Sequence, residues 1–406
     1  MKTNTAPRQR ALMVGLGISG TASALRLHKA GWDVVVLEKA PERRRGGYWL
    51  ALFDSGITAA ERLGVQVPNR SSADIAYYTL DRAGRRRRYV GFTDIVPGRS
   101  RPLMRSDVET AVFDALPEDV EIRFSCVPLA IRQDADSAEV EIEDRAAGRV
   151  STERFDLVVG ADGLRSTVRR MVFGPDEGYV HRLGYMLAAC SLPGPVPGYK
   201  STDGVAQFEL GRSVHVFAFG DRPPTVLFSY MSDDVDSEFT RPAIDSLRAA
   251  FGPQPKGSTL GWLLDQFEKA PDHLFDTAEQ VRMDSWHKGR VVLVGDSAWC
   301  LTLYSGMGAS SGLAGADQLG AMLERYPSDI PRALQAWEDK LRPFIHFHQS
   351  SGMAMRKLFV SGDHAEYRRL SVLSNVMAKT FNRKIFVKLR RRSKASQMKT
   401  VDLATA

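Results

Sequence analysis

Gly15, Gly17 and Gly20 stand where an apolar run, Ala11–Gly15, gives way to a helical pattern that reaches Ala30. At this spacing the first glycine permits a tight turn, and the second lets a diphosphate approach the backbone. The third lets helix and strand pack closely. A helix N-terminus at that point offers N–H groups and positive potential to an anion. Glu38 closes the next apolar run, Asp33–Glu38, where a carboxylate can accept ribose hydroxyls and disfavours a 2′-phosphate. Ser19 and Lys39 flank these positions and join the candidate set. The chemistry implied is dinucleotide binding, and the spacing leaves NAD and FAD both open. Gly308-Ala309-Ser310-Ser311-Gly312 matches a serine-nucleophile pattern, but no strand leads into it, so it reads as a tight helix start. His346 and His348 are two residues apart and on a helix point away from each other, so no metal pair follows.

Two further segments narrow the choice. Asp156-Leu157-Val158-Val159-Gly160-Ala161-Asp162-Gly163, running on to Arg169, resembles the DG motif of flavin-dependent aromatic hydroxylases. Gly289-Arg290-Val291-Val292-Leu293-Val294-Gly295-Asp296 resembles their GD motif. With the glycine fingerprint, their order is similar to that of the para-hydroxybenzoate hydroxylase group of monooxygenases over nearly the whole chain. Arg45-Gly46-Gly47-Tyr48 and Ser305-Gly306-Met307-Gly308 resemble the tetracycline-inactivating and polyketide-tailoring branch most closely.

The resemblance implies FAD as cofactor, NADPH or NADH as transient reductant, and O₂ and a bulky aromatic or polycyclic molecule as substrates. It implies that Asp296 bonds a ribityl hydroxyl, that Arg105 contacts FAD, and that Asp162 links nucleotide binding to the pyridine-nucleotide path. It also implies that Gly306, Met307, Gly308 and Ala309 face the flavin pyrimidine edge. Arg45 resembles an arginine that handles the nicotinamide cofactor, with Arg43 and Arg44 as rivals. Ser297-Ala298-Trp299 stands where the family has Ala-Ala-His or Ala-Ala-Tyr, and Leu303 replaces a proline beside the flavin. These departures keep a second reading open: a non-oxygenating flavoprotein of the same fold, either a dehydrogenase or a redox-neutral cyclase. No catalytic side chain is singled out, because the cofactor carries the difficult chemistry.

The elements that must position these residues follow from the patterning. The expected fold is α/β: a Rossmann-like FAD-binding domain, an inserted antiparallel-sheet substrate domain and C-terminal helices. The FAD-binding parts are expected at 1–70, 101–170 and 286–330, with substrate-domain segments at 71–100 and 171–285. C-terminal helices with a basic tail fill 331–406. Phe155–Gly160 and Gly289–Gly295 read as buried strands, and Ser106–Leu116 as a helix with Ser106 and Glu109 in capping-box spacing. Val205–Leu210, Val214–Phe219 and Thr225–Met231, separated by turn residues, read as an antiparallel meander. In the family this sheet roofs the substrate cavity, so Phe208, Phe217, Phe219, Phe228 and Leu303 are candidate substrate contacts, with core packing as their alternative. Arg85–Arg88, after a turn at Asp81–Gly84, reads as a solvated strand edge.

Composition excludes several classes. The 406 residues are 43% hydrophobic and 25% charged, ordinary for a globular protein and unlike a disordered or collagen-like one. No apolar run is long enough to span a bilayer. Cys126, Cys190 and Cys300 are too few and too scattered for a disulfide framework or a metal cage, which suits a reducing cytoplasm. The net charge of +7 is a tail property: nine basic residues and no acid lie between Ser371 and Val401. Met377–Lys388 reads as a basic amphipathic helix packed on its own body with a solvated basic face, with an anionic membrane surface as the alternative. Neither nucleic-acid binding nor stable membrane insertion is expected, and nothing indicates an oligomeric state.

Overall fold

The computed structural model describes residues 8–405, apart from 44, 45, 82, 83, 92, 93, 95, 97, 378 and 379. The N-terminal apolar runs become the centre of a six-stranded sheet. Numbered along the chain, its order is β17 (His287–Lys288), β18 (Val291–Leu293), β11 (Leu157–Gly160), β1 (Arg10–Val14), β2 (Asp33–Glu38) and β7 (Glu121–Phe124). Every pairing is parallel except β17 with β18. Ala11, Leu12 and Met13 are inaccessible to solvent, as strands covered on both faces must be. Between β1 and β2 the chain crosses over through α1 (Ile18–Lys29), and α8 (Gly308–Arg325) packs beside it.

A seven-stranded sheet draws on two stretches of chain. Its order is β16 (His273–Val281), β12 (Val180–Ser191), β15 (Thr225–Met231), β14 (Arg212–Phe217), β13 (Asp203–Glu209), β4 (Ala76–Leu80) and β5 (Arg86–Tyr89). The expected meander is present as β13–β14–β15, antiparallel throughout. Arg85–Arg87 are exposed on the edge strand β5 or beside it, the solvated edge expected of them. The outer face of the sheet packs against α5 (Ala243–Phe251) and α6 (Thr259–Lys269). Smaller sheets pair β3 (Trp49–Phe53) with β6 (Ser100–Met104), and join β8 (Cys126–Gln133), β9 (Ala138–Asp144) and β10 (Arg149–Phe155). The remaining helices are α2 (Asp54–Arg62), α3 (Arg105–Phe113), α4 (Thr167–Val172), α7 (Asp296–Trp299), α9 (Ile330–Phe359), α10 (His364–Met377), α11 (Thr380–Arg391) and α12 (Lys394–Gln397). Among the described residues no helix is long and apolar enough to cross a membrane.

Several boundaries differ from expectation. Helix α3 begins at Arg105, one residue early, because Asp107 and not Glu109 caps it: Met104 N–H donates to Asp107 Oδ2 at 2.9 Å. Arg70 fixes that carboxylate with two bonds of 2.7 Å. The run Phe155–Gly160 is broken at Asp156, whose carboxylate accepts the Arg10 N–H at 2.7 Å as the chain turns from β10 into β11. Of Gly289–Gly295 only Val291–Leu293 is strand, since Gly295 turns to φ +64°. The basic helix expected over Met377–Lys388 is present as α11, Thr380–Arg391.

Candidate functional site

The three glycines do three different things. A Cβ on Gly20 would lie 2.0 Å from the Gly15 carbonyl oxygen, and one on Gly15, at φ +108°, would lie 2.5 Å from the Ala161 oxygen. Both are steric requirements of α1 packing against its strands. A Cβ on Gly17 would meet only the Arg105 guanidinium, 4.0 Å away. Gly17 therefore faces open space at the N-terminus of α1, with a cation across from it. An FAD diphosphate fits such a cradle of backbone N–H groups, helix dipole and guanidinium.

Glu38 ends β2 beside this turn. Its carboxylate accepts Leu16 N–H at 3.0 Å and Ala40 N–H at 2.9 Å, which orients it and leaves acceptor capacity for a ribose. Lys39 is exposed beyond the strand end. The Ser19 hydroxyl lies 2.2 Å and 2.5 Å from where Gly295 and Gly312 would carry Cβ atoms. It is wedged where α1, the turn before Asp296 and α8 meet.

Asp296, Arg105 and Tyr48 form a second group. Asp296 is exposed, yet burial by the surrounding protein raises its carboxyl pKa against the opposing pull of Arg105. Together these observations place it inside a groove and not on the outer surface. The Arg105 guanidinium pairs with Glu109 at 3.1 Å. Burial opposes its charge, but Tyr48, Glu109 and Asp296 outweigh that and raise its pKa. Burial likewise raises the Tyr48 phenol, despite Arg105. Tyr48 escaped the sequence reading as a site residue because no spacing rule selects it. Gly47, at φ +150°, precedes it, and a Cβ there would lie 3.2 Å from the Arg105 side chain. Arg45 and Arg44 lie outside the described residues. Arg43 is committed to α3, its guanidinium 3.8 Å from the centre of the Phe113 ring.

Asp162 makes its hydrogen bonds within its own segment. Its carboxylate accepts the Ser166 hydroxyl at 2.5 Å and the N–H groups of Thr167 and Val168 at 2.6 and 3.1 Å. It braces the N-terminus of α4, whose N-cap is Ser166. Arg169, inaccessible to solvent, ties this segment to the next by donating to the Leu164 and Ser297 carbonyls at 2.6 and 2.8 Å.

Gly306 takes the left-handed conformation, φ +65°, and the chain then enters α8 at Gly308. A Cβ there would meet nothing within 4 Å, so the positive end of an 18-residue helix opens onto space. Met307 is fully buried beneath the loop and Ala309 is half-buried. Ser310 is buried and its hydroxyl accepts the Phe53 N–H at 3.1 Å, a structural bond within a helix start.

The candidate substrate residues divide by sheet face. Phe208, His215 and Phe217 share the inner face, with Phe208 5.1 Å and Phe217 5.9 Å from the His215 ring. Trp49 stacks on Phe217 at 4.2 Å. Leu303 is partly buried and packs against this cluster. Phe228 is a correction: it faces outward and packs on Phe251 and Phe267, 5.6 and 5.9 Å away. Phe219 is buried beyond the end of β14, beside Arg222. His215 was missed because an isolated histidine carries no spacing signal. Burial holds it neutral, with a pKa of about 4, and its Nε2 has no hydrogen-bond partner among the described residues.

A family model described as "FAD binding domain" matches residues 8–328. Uncharacterized protein Rv1260 of Mycobacterium tuberculosis (strain ATCC 25618 / H37Rv) is 30% identical over 347 residues, covering 82% of this chain and 90% of that protein. FAD-dependent monooxygenase asL4 of Sarocladium schorii is 27% identical over 374 residues, covering 84% and 85%. Among solved structures, tetracycline destructase Tet(55) superposes with a TM-score of 0.74 at 23% identity, covering 92% of this chain and 97% of that one.

Proposed function

Since the chain belongs to the FAD-binding-domain family, we propose that it is an FAD-dependent monooxygenase acting on a bulky aromatic or polycyclic small molecule, with NADPH or NADH as reductant. The observation that carries the reading is convergence. Gly17 at the start of α1 faces Arg105, Arg105 interacts with Asp296, and α1 meets α8 at Ser19 and Gly312, while the aromatic inner face of the seven-stranded sheet packs beside Trp49 and Tyr304. The relatives named as FAD-dependent monooxygenases support the activity.

In this reading Gly17 and Arg105 hold the diphosphate, Glu38 the adenosine ribose and Asp296 the ribityl chain. The Gly306–Ala309 backbone faces the flavin ring, where the dipole of α8 favours negative charge. When bound, FAD supplies the activation of O₂ and the transfer of one oxygen atom to substrate. The apolar inner face excludes water and orients a flat ring, and neutral His215 offers a polar contact among Phe208, Phe217 and Phe359.

The test is an anaerobic visible spectrum of the purified holoprotein, before and after NADPH, with and without polycyclic aromatic ligands, followed by air. Bleaching, then reoxidation with an oxygen atom in the product, supports the proposal. A flavin reduced and reoxidised with no oxygenated product favours the dehydrogenase reading. Protein that cannot take up FAD refutes both.

A further inference from the structure

Helix α11 lies along the edge of the seven-stranded sheet. Val387 and Arg391 line a cavity of about 330 Å³ with Arg88, Tyr89 and Asp94, and Arg391 Nε donates to the Asp94 carbonyl at 3.0 Å. That is the packed side. On a helix, residues 385 and 389 share the opposite face. They are Ile385 and Leu389, 44% and 63% exposed. A helix that served only its own body would present polar residues there. Cations flank the pair instead: Lys388 and Arg392, both exposed, lie to one side, and Arg390 lies to the other over the Phe386 ring at 5.4 Å. Exposed Arg86 and Arg87 continue the positive surface on β5.

We propose that this face docks on an anionic lipid bilayer surface, with Ile385 and Leu389 entering the interface and the flanking lysine and arginines meeting lipid headgroups. The charge pattern selects this occupant. An apolar pair bordered by cations, with no acid between Ser371 and Val401, complements negative headgroups over acyl chains, whereas a second copy would bring like charge against like. Tyr89, which lines the cavity under α11, also lies 5.9 Å from Phe208 on the inner aromatic face. The docked edge is thus the one nearest that face, and a molecule dissolved in the bilayer would have a short path to it. Docking of this kind is peripheral and reversible.

The experiment is co-sedimentation of full-length holoprotein with vesicles of phosphatidylcholine alone or mixed with phosphatidylglycerol, at low and high salt. Binding is expected to the mixed vesicles only, to weaken with salt, and to fall about tenfold or more in I385S/L389S. In K388Q/R392Q it should fall by a similar factor, at about one kcal/mol per charge. An unchanged flavin spectrum and melting temperature show that the variants are folded. Three results overturn the proposal: no sedimentation of the wild type with either vesicle, sedimentation indifferent to I385S/L389S, or a wild-type dimer that I385S/L389S dissolves. Duplex DNA bound as tightly by I385S/L389S as by the wild type, and displacing the vesicles, also overturns it in favour of a polyanion site.

Discussion

Lys399 offers the sharpest test of how the C-terminal segment supports the site. It is 5% exposed, its ammonium donates to the Ser305 carbonyl at 2.5 Å, and it lies 4.3 Å from the Phe53 ring centre. Burial pushes its pKa down from 10.5 to about 7. The folded state therefore disfavours the cation. Between about pH 7 and 10.5 the unfolded chain holds more protons than the native one, so stability rises with pH across that window. It is lowest below pH 7, where a charge must be buried. At about 1.4 kcal/mol per pH unit, the ceiling is about 5 kcal/mol. The carbonyl and the ring both favour the cation and reduce the expected change to about 2–4 kcal/mol.

Lys399→Met removes the titration. Urea unfolding followed by tryptophan fluorescence, at saturating FAD, should show the variant gaining most over wild type near pH 7 and that advantage shrinking by about 2–4 kcal/mol near pH 10. His348, whose pKa burial and Lys399 lower to about 3, is neutral throughout this range and does not interfere. Parallel pH profiles for the two proteins would refute the reasoning. Because Lys399 also holds Ser305, the residue before Gly306, the variant is expected to release FAD more readily at pH 7 than the wild type does.

Three further outcomes are expected. Gly20→Ala drives a Cβ into the Gly15 carbonyl and should cost at least about 3 kcal/mol, whereas Gly17→Ala should melt like wild type yet raise the FAD dissociation constant about tenfold or more; thermal melting and flavin titration separate them. Phe228→Ala should lose about 3–5 kcal/mol of stability with ligand binding intact, while Phe217→Ala should weaken polycyclic ligands at smaller cost in stability; the reverse pattern would mean the sheet faces are misassigned. Trp299→Phe should lower the melting temperature without changing the rate of flavin reduction by NADPH, because Trp299 is enclosed by Trp286 and Trp337 at 4.7 and 5.8 Å; a slowed reduction would return it to the cofactor.

What the sequence revealed, and what it did not, divides by range. The placement of Gly15, Gly17, Gly20 and Glu38 around one turn was legible because it follows from turns and packing within one βαβ unit. The faces of the meander were not, because they depend on pairing. Phe217 stands opposite Thr225 while Phe228 stands opposite Val214, and cross-strand partners share a face, so the two phenylalanines point opposite ways. Asp162 and Asp107 show a related ambiguity: an acid near a helix start serves equally as cap or ligand, and only the direction of nearby N–H groups decides. Lys399 and Ser305 are 94 residues apart, and no pattern in either segment anticipates the contact.

The two departures from the family pattern take on a different meaning in this light. Trp299 is not beside the flavin loop's open side but behind it, its indole N–H donating to Ser311 in α8 at 3.3 Å. It supports the helix whose N-terminus faces the groove. Leu303 replaces a proline that would stiffen the loop, yet the loop is not slack. Thr302 sits at φ +68°, a conformation that costs about 1–3 kcal/mol and persists only where its surroundings enforce it. They do so from three sides. Tyr304 N–H bonds Thr302 Oγ1 at 3.2 Å, Tyr304 Oη and Ser229 share a hydrogen bond of 2.7 Å, and Lys399 holds the Ser305 carbonyl. The anchors come from the loop itself, the seven-stranded sheet and the C-terminal segment. Rigidity that a proline would supply locally is here supplied by long-range contacts, so the missing proline is no argument against a loop able to hold its N–H groups in place. The readings of the sequence that leaned on Trp299 and Leu303 to doubt oxygenation lose their structural footing, and the decision between them passes to the product formed in air.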